Sequence, residues 1–210
     1  IEKIAESGEL ILTDSILFVS DLPGKNDGKE GLGGGGNTTT ALITLLEEAK
    51  ESVFIQSPYL VTTDLSRGIF SKLTKRGVKI HILTNSLAST DNLEAFSGYQ
   101  RDRARLLESG VRVYEFRPDA DCRNKLMTGS LQKTLAHKPV FGLHAKSMVI
   151  DGKIAVVGSF NLDPRSANLN TECITVVRDL AMAKRLEAIM KNEILPENAW
   201  ETTAHFNPDH

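Results

Sequence analysis

Along the chain, apolar positions fall into short runs and helical stripes separated by glycine, proline and polar punctuation. Residues 10–19 (LILTDSILFV) read as strand-forming and are followed by a turn at Asp21–Gly24. A polar stretch, Lys25–Gly36, ends in four glycines and has the composition of a flexible linker or mobile loop. A phosphate-cradling loop is disfavoured there, because no GK[ST] ending follows and no strand precedes it in the right place. Asn37 or Thr38 can cap a helix running through Glu51, with Leu42, Leu45, Leu46 and Ala49 as its apolar positions. Val53–Ser57 then reads as a strand and Asp64–Arg76 as a helix stopped by Gly77. Val78–Leu83 reads as a strand, Leu93–Ser109 as a helix stopped by Gly110, and Val111–Phe116 as a strand.

Residues 117–140 are punctuated by Pro118, Gly129 and Pro139, which predicts a long loop with little regular structure. Beyond it, Leu143–Ile150 and Ile154–Val157 are strands joined by Asp151-Gly152, a strong hairpin signal. Thr171–Val177 is a further strand, and Asp179 caps a last helix from Leu180 to about Ile194, closed by Pro196. The alternation predicts an α/β fold: a mixed, largely parallel sheet flanked by helices on both faces. The expected organisation is a strand in residues 1–24 that closes a preceding, absent half, then a linker at 25–36. A catalytic half at 37–196 and a polar, poorly ordered tail at 197–210 complete it.

Composition narrows this picture. The 210 residues are 40% hydrophobic and 25% charged, enough for one substantial core. A net charge of −2 gives no global attraction to nucleic acid or anionic lipid. The local cluster Lys72, Lys75, Arg76 and Lys79 reads as a solvated helix face. Cys122 and Cys173 lack metal-ligand spacing, and two thiols are preferred over a disulfide. No run of about 20 apolar residues is present to span a bilayer. The chain opens on Ile1 without a signal-peptide layout and reads as a fragment of a longer protein.

The informative chemistry lies in His144-Ala-Lys146-Ser-Met-Val-Ile-Asp151, then Gly158-Ser159-Phe160-Asn161, then Asn170-Thr171-Glu172. In a strand, side chains at i and i+2 share a face, so His144 and Lys146 point the same way, as do Ser159 and Asn161 if that strand continues. Imidazole can attack phosphorus and form a covalent intermediate. An ammonium, a hydroxyl and an amide can neutralise the phosphoryl oxygens as charge develops, without a metal or other cofactor. Glu172 can accept a hydrogen bond from the far ring nitrogen of His144 and fix its tautomer. Asp151 falls on the opposite parity and in the turn, where it should hold the hairpin. Each residue taken singly has an ordinary structural explanation, and only the joint spacing reverses that.

HAKSMVID followed by GSFN resembles the HKD signature of the phospholipase D superfamily, with every signature position filled. NLDPRSANLNTE, SPYL at 57–60, LTNSLASTD at 83–91 and GY with nearby arginines at 98–105 are similar to segments of bacterial cardiolipin synthases. The resemblance implies His144 as nucleophile or general acid, Lys146, Ser159 and Asn161 as phosphate ligands, Glu172 as the orienting carboxylate and Asp151 as the signature aspartate. It places Tyr59 in a pocket-lining segment, although a buried aromatic is the plainer explanation. The implied substrate is a phospholipid, met at a membrane surface by a bacterial protein of the cytoplasm or inner-membrane face. Water as acceptor would give phospholipase activity and an alcohol would give phosphatidyl transfer.

The chain departs from the family in one respect. The family's site takes two HKD motifs, whereas His81 is followed by Ile-Leu, His137 by Lys-Pro and His205 by Phe-Asn. The partner is therefore expected to be an absent N-terminal half, in preference to a second copy of this chain. A superfamily nuclease and an inactive isolated half are the competing readings, and the mildly acidic composition argues against nucleic acid.

Overall fold

The computed structural model describes residues 13–25, 35–126 and 142–203. Its frame is one eight-stranded sheet in the order β1-β7-β6-β5-β2-β3-β4-β8. The strands are β1 (Ile16–Ser20), β2 (Ser52–Gln56), β3 (Lys79–Asn85), β4 (Arg112–Phe116), β5 (Ser147–Ile150), β6 (Ile154–Gly158), β7 (Cys173–Val177) and β8 (Ala199–Thr202). The helices are α1 (Asn37–Glu48), α2 (Asp64–Lys75), α3 (Leu93–Glu108), α4 (Asp121–Leu126), α5 (Pro164–Asn168) and α6 (Leu180–Glu193).

The expected mixed α/β sheet is present. Its parallel pairing is confined to β2–β3 and β3–β4, where helices α2 and α3 supply the crossovers. The β5–β6–β7 meander and both edge strands pair antiparallel. The sheet is therefore less parallel than strand–helix alternation predicts, because the alternation stops after β4 and hairpins need no crossover helix.

Strand parity sorts the core. Val53, Ile55, Met148 and Ile150 face a large cluster with Leu42, Leu45 and Leu46 of α1, Phe70 and Leu73 of α2, and Phe96 and Leu106 of α3. Phe54, Val149, Ala155 and Val177 face the other side, against Ala183 and Met190 of α6. Helices thus cover both faces, as alternating burial in a sandwiched sheet requires. The basic cluster holds elements together: Lys72 pairs with Glu47 at 3.2 Å, and Arg76 donates to the carbonyl of Ala49 at 2.7 Å, tying α2 to α1.

Several expectations change. Residues 16–20, assigned to a preceding half, form an edge strand of this sheet against β7, although Ile16, Leu17 and Phe18 remain exposed. Helix α1 is not capped by Asn37 or Thr38; Gly36 occupies the cap position and its missing side chain is replaced by the carboxylate of Asp21. The tail is not all irregular, since Ala199–Thr202 closes the far edge of the sheet against β4. The stretch after β4 begins with α4, while 127–141, including His137, and 204–210, including His205, lie outside the described residues, as does most of the glycine-rich stretch. Cys122 and Cys173 are both free thiols, and burial pushes the Cys122 thiol up.

Candidate active site

The site forms where the β5–β6 hairpin outruns its neighbour. β2 pairs with β5 only as far as Gln56 opposite Ser147, and the next residues along the chain are Ser57-Pro58. Proline brings no N–H to a ladder, so residues 143–146 lose pairing with β2, while the Lys146 carbonyl still accepts from Gly158 N at 3.1 Å. His144 and Lys146 therefore lie in an extended segment before β5, which starts at Ser147 rather than at Leu143. Asn85, the last residue of β3, takes over the backbone there: its Oδ1 accepts from Leu143 N at 2.7 Å and its Nδ2 donates to Leu143 O at 3.0 Å. Ser147 is anchored from the other side by its hydroxyl, which donates to Gln56 at 2.6 Å, and Gln56 in turn donates to Glu193. The segment carrying His144 and Lys146 is thus pinned at both ends.

His144 and Lys146 do share a face. Lys146 Nζ lies 3.4 Å from His144 Nε2 and 3.2 Å from the His144 carbonyl. Tyr59 closes the same corner, its ring edge-on to the imidazole with centroids 6.4 Å apart and its face 5.9 Å from Lys146 Nζ. The Tyr59 hydroxyl donates to Asp91 at 3.1 Å, and burial followed by that carboxylate raises its pKa. Burial lowers the pKa of the Lys146 ammonium, against the attraction of Glu172, Asp91 and Asp163. Lys146 is thus a partly desolvated cation, whose attraction for an anion is less screened than that of a fully hydrated ammonium.

Ser159 and Glu172 form a second, adjoining group. Glu172 receives hydrogen bonds from the hydroxyls of Ser159 and Ser166, the latter at 2.8 Å, and from Asn170 Nδ2 at 3.2 Å. No hydrogen bond joins it to His144 in this structure. Its carboxylate sits at the start of β7, where the nearest donors are those of β6 and α5. Ser159 also accepts from Cys173 N at 3.0 Å, so its hydroxyl is engaged with Glu172 rather than turned to a ligand. Asn161 donates its backbone N–H to Ser166 at 3.2 Å and has its Oδ1 buried without a partner among the described residues. Gly158 lets β6 approach β7 this closely, because a Cβ there would sit 2.2 Å from the Cys173 carbonyl oxygen.

Asp151 plays the part that parity assigned to it. It adopts φ 52°, a left-handed turn conformation, and its carboxylate accepts from the backbone N–H groups of Lys50, Glu51 and Ser52 at 2.8–3.0 Å. Those bonds outweigh burial and lower its pKa. It fastens the hairpin turn to the start of β2, at the far end of the strands from His144.

Sequence reasoning missed Asn85, Asp91, Asp163 and Ser166, all of which lie within segments noted for their resemblance. Asp163-Pro164 followed by Ser166 was legible as a helix start: Asp163 caps α5 through Ser166 N at 2.7 Å. Asp21 had no signal beyond its turn. Among the described residues no group of three or more His, Cys, Asp and Glu side chains is placed to hold a metal ion.

The family model described as "Cardiolipin synthase, PLD-like domain" matches residues 42–194. Cardiolipin synthase C of Escherichia coli K12 is 36% identical over 175 residues, covering 81% of this chain and 35% of that protein. The chain thus spans about a third of the length of the curated relatives it matches. Among solved structures, Nuc of Salmonella typhimurium, a phospholipase D family member, aligns at TM-score 0.58 and 13% identity, covering 90% of this chain and 99% of Nuc. NucT of Helicobacter pylori aligns at TM-score 0.57 and 19% identity, covering 87% and 96%. At these identities the two structures speak for the fold alone.

Proposed function

The chain belongs to the cardiolipin synthase PLD-like domain family, within the phosphodiester-acting phospholipase D superfamily, and from that premise we propose that it is one half of a phosphatidyltransferase site. The observation that carries the reading is the contact of His144 with Lys146 on one pinned segment, in a chain whose curated relatives include cardiolipin synthase C.

In the proposed reaction an imidazole nitrogen attacks the phosphorus of a phosphatidyl lipid. A P–N bond forms, the P–O bond to the head-group alcohol breaks, and a general acid protonates the departing oxygen. Lys146 neutralises the phosphoryl oxygens as charge builds, and its partial desolvation strengthens that interaction. The Asn161 amide, whose Oδ1 has no partner among the described residues, is the second phosphate ligand, with Ser159 joining once its hydroxyl leaves Glu172. The acceptor oxygen then attacks phosphorus, loses its proton to the same base, and the P–N bond breaks. Phosphatidylglycerol as acceptor yields cardiolipin, and water yields phosphatidic acid.

Nucleophile and acid are two histidines in this scheme. His144 is the one this chain supplies, and the other comes from a second half or a second copy. Quenching the intact natural protein in alkali during turnover of labelled phosphatidylglycerol tests it. A histidine-linked phosphatidyl adduct is expected. Its loss in His144→Ala identifies His144 as the nucleophile, and its persistence with slowed release identifies His144 as the acid. Turnover with no adduct at any histidine contradicts the covalent scheme.

A further inference from the structure

Two cavities on the α1–α2 side of the sheet meet beside the candidate site. The smaller, about 20 Å³, is lined by Lys146, Ser147 and Gly158 together with Leu42, Met148, Phe160 and Leu162. The larger, about 100 Å³, shares those last four residues and continues between α1 and α2 along Leu46, Ile69 and Phe70. Its wall is almost wholly apolar, and Leu65, 62% exposed, stands at its mouth. A cation and the motif glycine thus stand at one end and a mainly hydrocarbon wall at the other, where Asp163, Thr39, Thr62, Thr63 and Ser66 add little polar surface.

We propose that this crevice seats the first carbons of an acyl chain while the attached phosphodiester lies against Lys146. The inference rests on the phospholipid reading above and specifies how that substrate is chosen. An amphiphile with an anionic phosphoryl group and an apolar arm matches the gradient. A nucleotide would have to place sugar and base against aliphatic walls, leaving their polar groups unpaired. An apolar cavity of roughly 150 Å³ accepts a benzene-sized guest, so this one holds a few methylenes rather than a whole chain. Each methylene moved out of water is worth about fourfold in binding. The Lys72–Glu47 and Arg76–Ala49 contacts join the two helices near their C-terminal ends.

The test uses the intact natural protein and monomeric, short-chain phosphatidylglycerols, from butanoyl to octanoyl, below their aggregation limits. We expect kcat/KM to rise by about fourfold per methylene for the first few carbons and then to level off. Ile69→Phe fills the crevice and should flatten the rise. The readout is the octanoyl-to-butanoyl ratio within one protein, so a loss of folded enzyme cancels. A phosphatidylglycerol carrying a diazirine near its carboxyl end should label the α2 peptide containing Leu65 and Ile69, a result that needs no variant. Turnover independent of chain length, with label elsewhere, overturns the crevice and leaves the phospholipid reading standing. No turnover of any phosphatidyl lipid by a protein that cleaves other phosphodiesters removes both.

Discussion

At the scale of single residues, the signature aspartate holds the hairpin turn and the signature glycine allows β6 its close approach to β7. Asp151 gathers three backbone N–H groups at the start of β2. Its carboxyl pKa is lowered in the fold, so the folded state holds the proton less tightly than the unfolded chain. The stabilisation is therefore complete above the unfolded value of about 4 and is lost as pH falls through the folded value. Asp151→Asn keeps the turn conformation but forfeits the charged acceptor. It should cost about 1–2 kcal/mol at neutral pH and almost nothing in strong acid, read from urea midpoints at the two pH values. His144 and Lys146 were legible because two residues apart on extended backbone means one face, whether or not the ladder continues. The Glu172 contact was not legible. Which donors a carboxylate meets depends on where α5 and β6 end, and residue spacing does not contain that.

Among the elements, β1 and the turn after it do more than their composition suggests. Asp21 is buried, and its carboxylate accepts from Lys25 Nζ at 2.7 Å, Thr38 N at 2.9 Å and Glu172 N at 3.0 Å. Lys25 passes the link on to the Ser166 carbonyl at 2.7 Å. One ion pair therefore joins the segment before the glycine-rich stretch, the N-terminus of α1 and Glu172, the residue just before β7. Gly36 is required in this arrangement, since a Cβ there would lie 2.5 Å from the Asp21 carboxylate. The carboxylate also meets the positive end of the α1 dipole. Asp21→Asn leaves Lys25 buried without its counter-charge and should cost about 3 kcal/mol in denaturant unfolding, while Lys25→Met with Asp21→Asn should recover part of it. Helices α1, α2, α3 and α6 were readable from apolar periodicity and glycine stops to within a few residues. The cap of α1 and the strand β8 were not. A cap supplied across the fold leaves no local trace, and Ala199–Thr202 is a strand only because β4 offers it an open edge.

At the scale of the whole molecule, the sheet sets the site at one place, beyond the end of β2, where the hairpin runs on and Asn85, Tyr59 and Asp91 close around it. Strand–helix alternation in the sequence was enough for the α/β class and for helices on both faces. It overstated parallel pairing because the last strands are joined by hairpins. Among the described residues no helix is long and apolar enough to cross a membrane. His144 and Lys146 supply one imidazole and one ammonium, and the reaction as written needs a second imidazole from a second half or copy. The most direct test of the central claim is product analysis with the intact natural protein on phosphatidylglycerol vesicles, wild type against His144→Ala. Cardiolipin is expected from the wild type, with phosphatidic acid where water intercepts, and a loss on the order of a thousandfold in the variant. Undiminished product from His144→Ala, or no lipid product from a wild type that still cleaves nucleic acid, would contradict that claim.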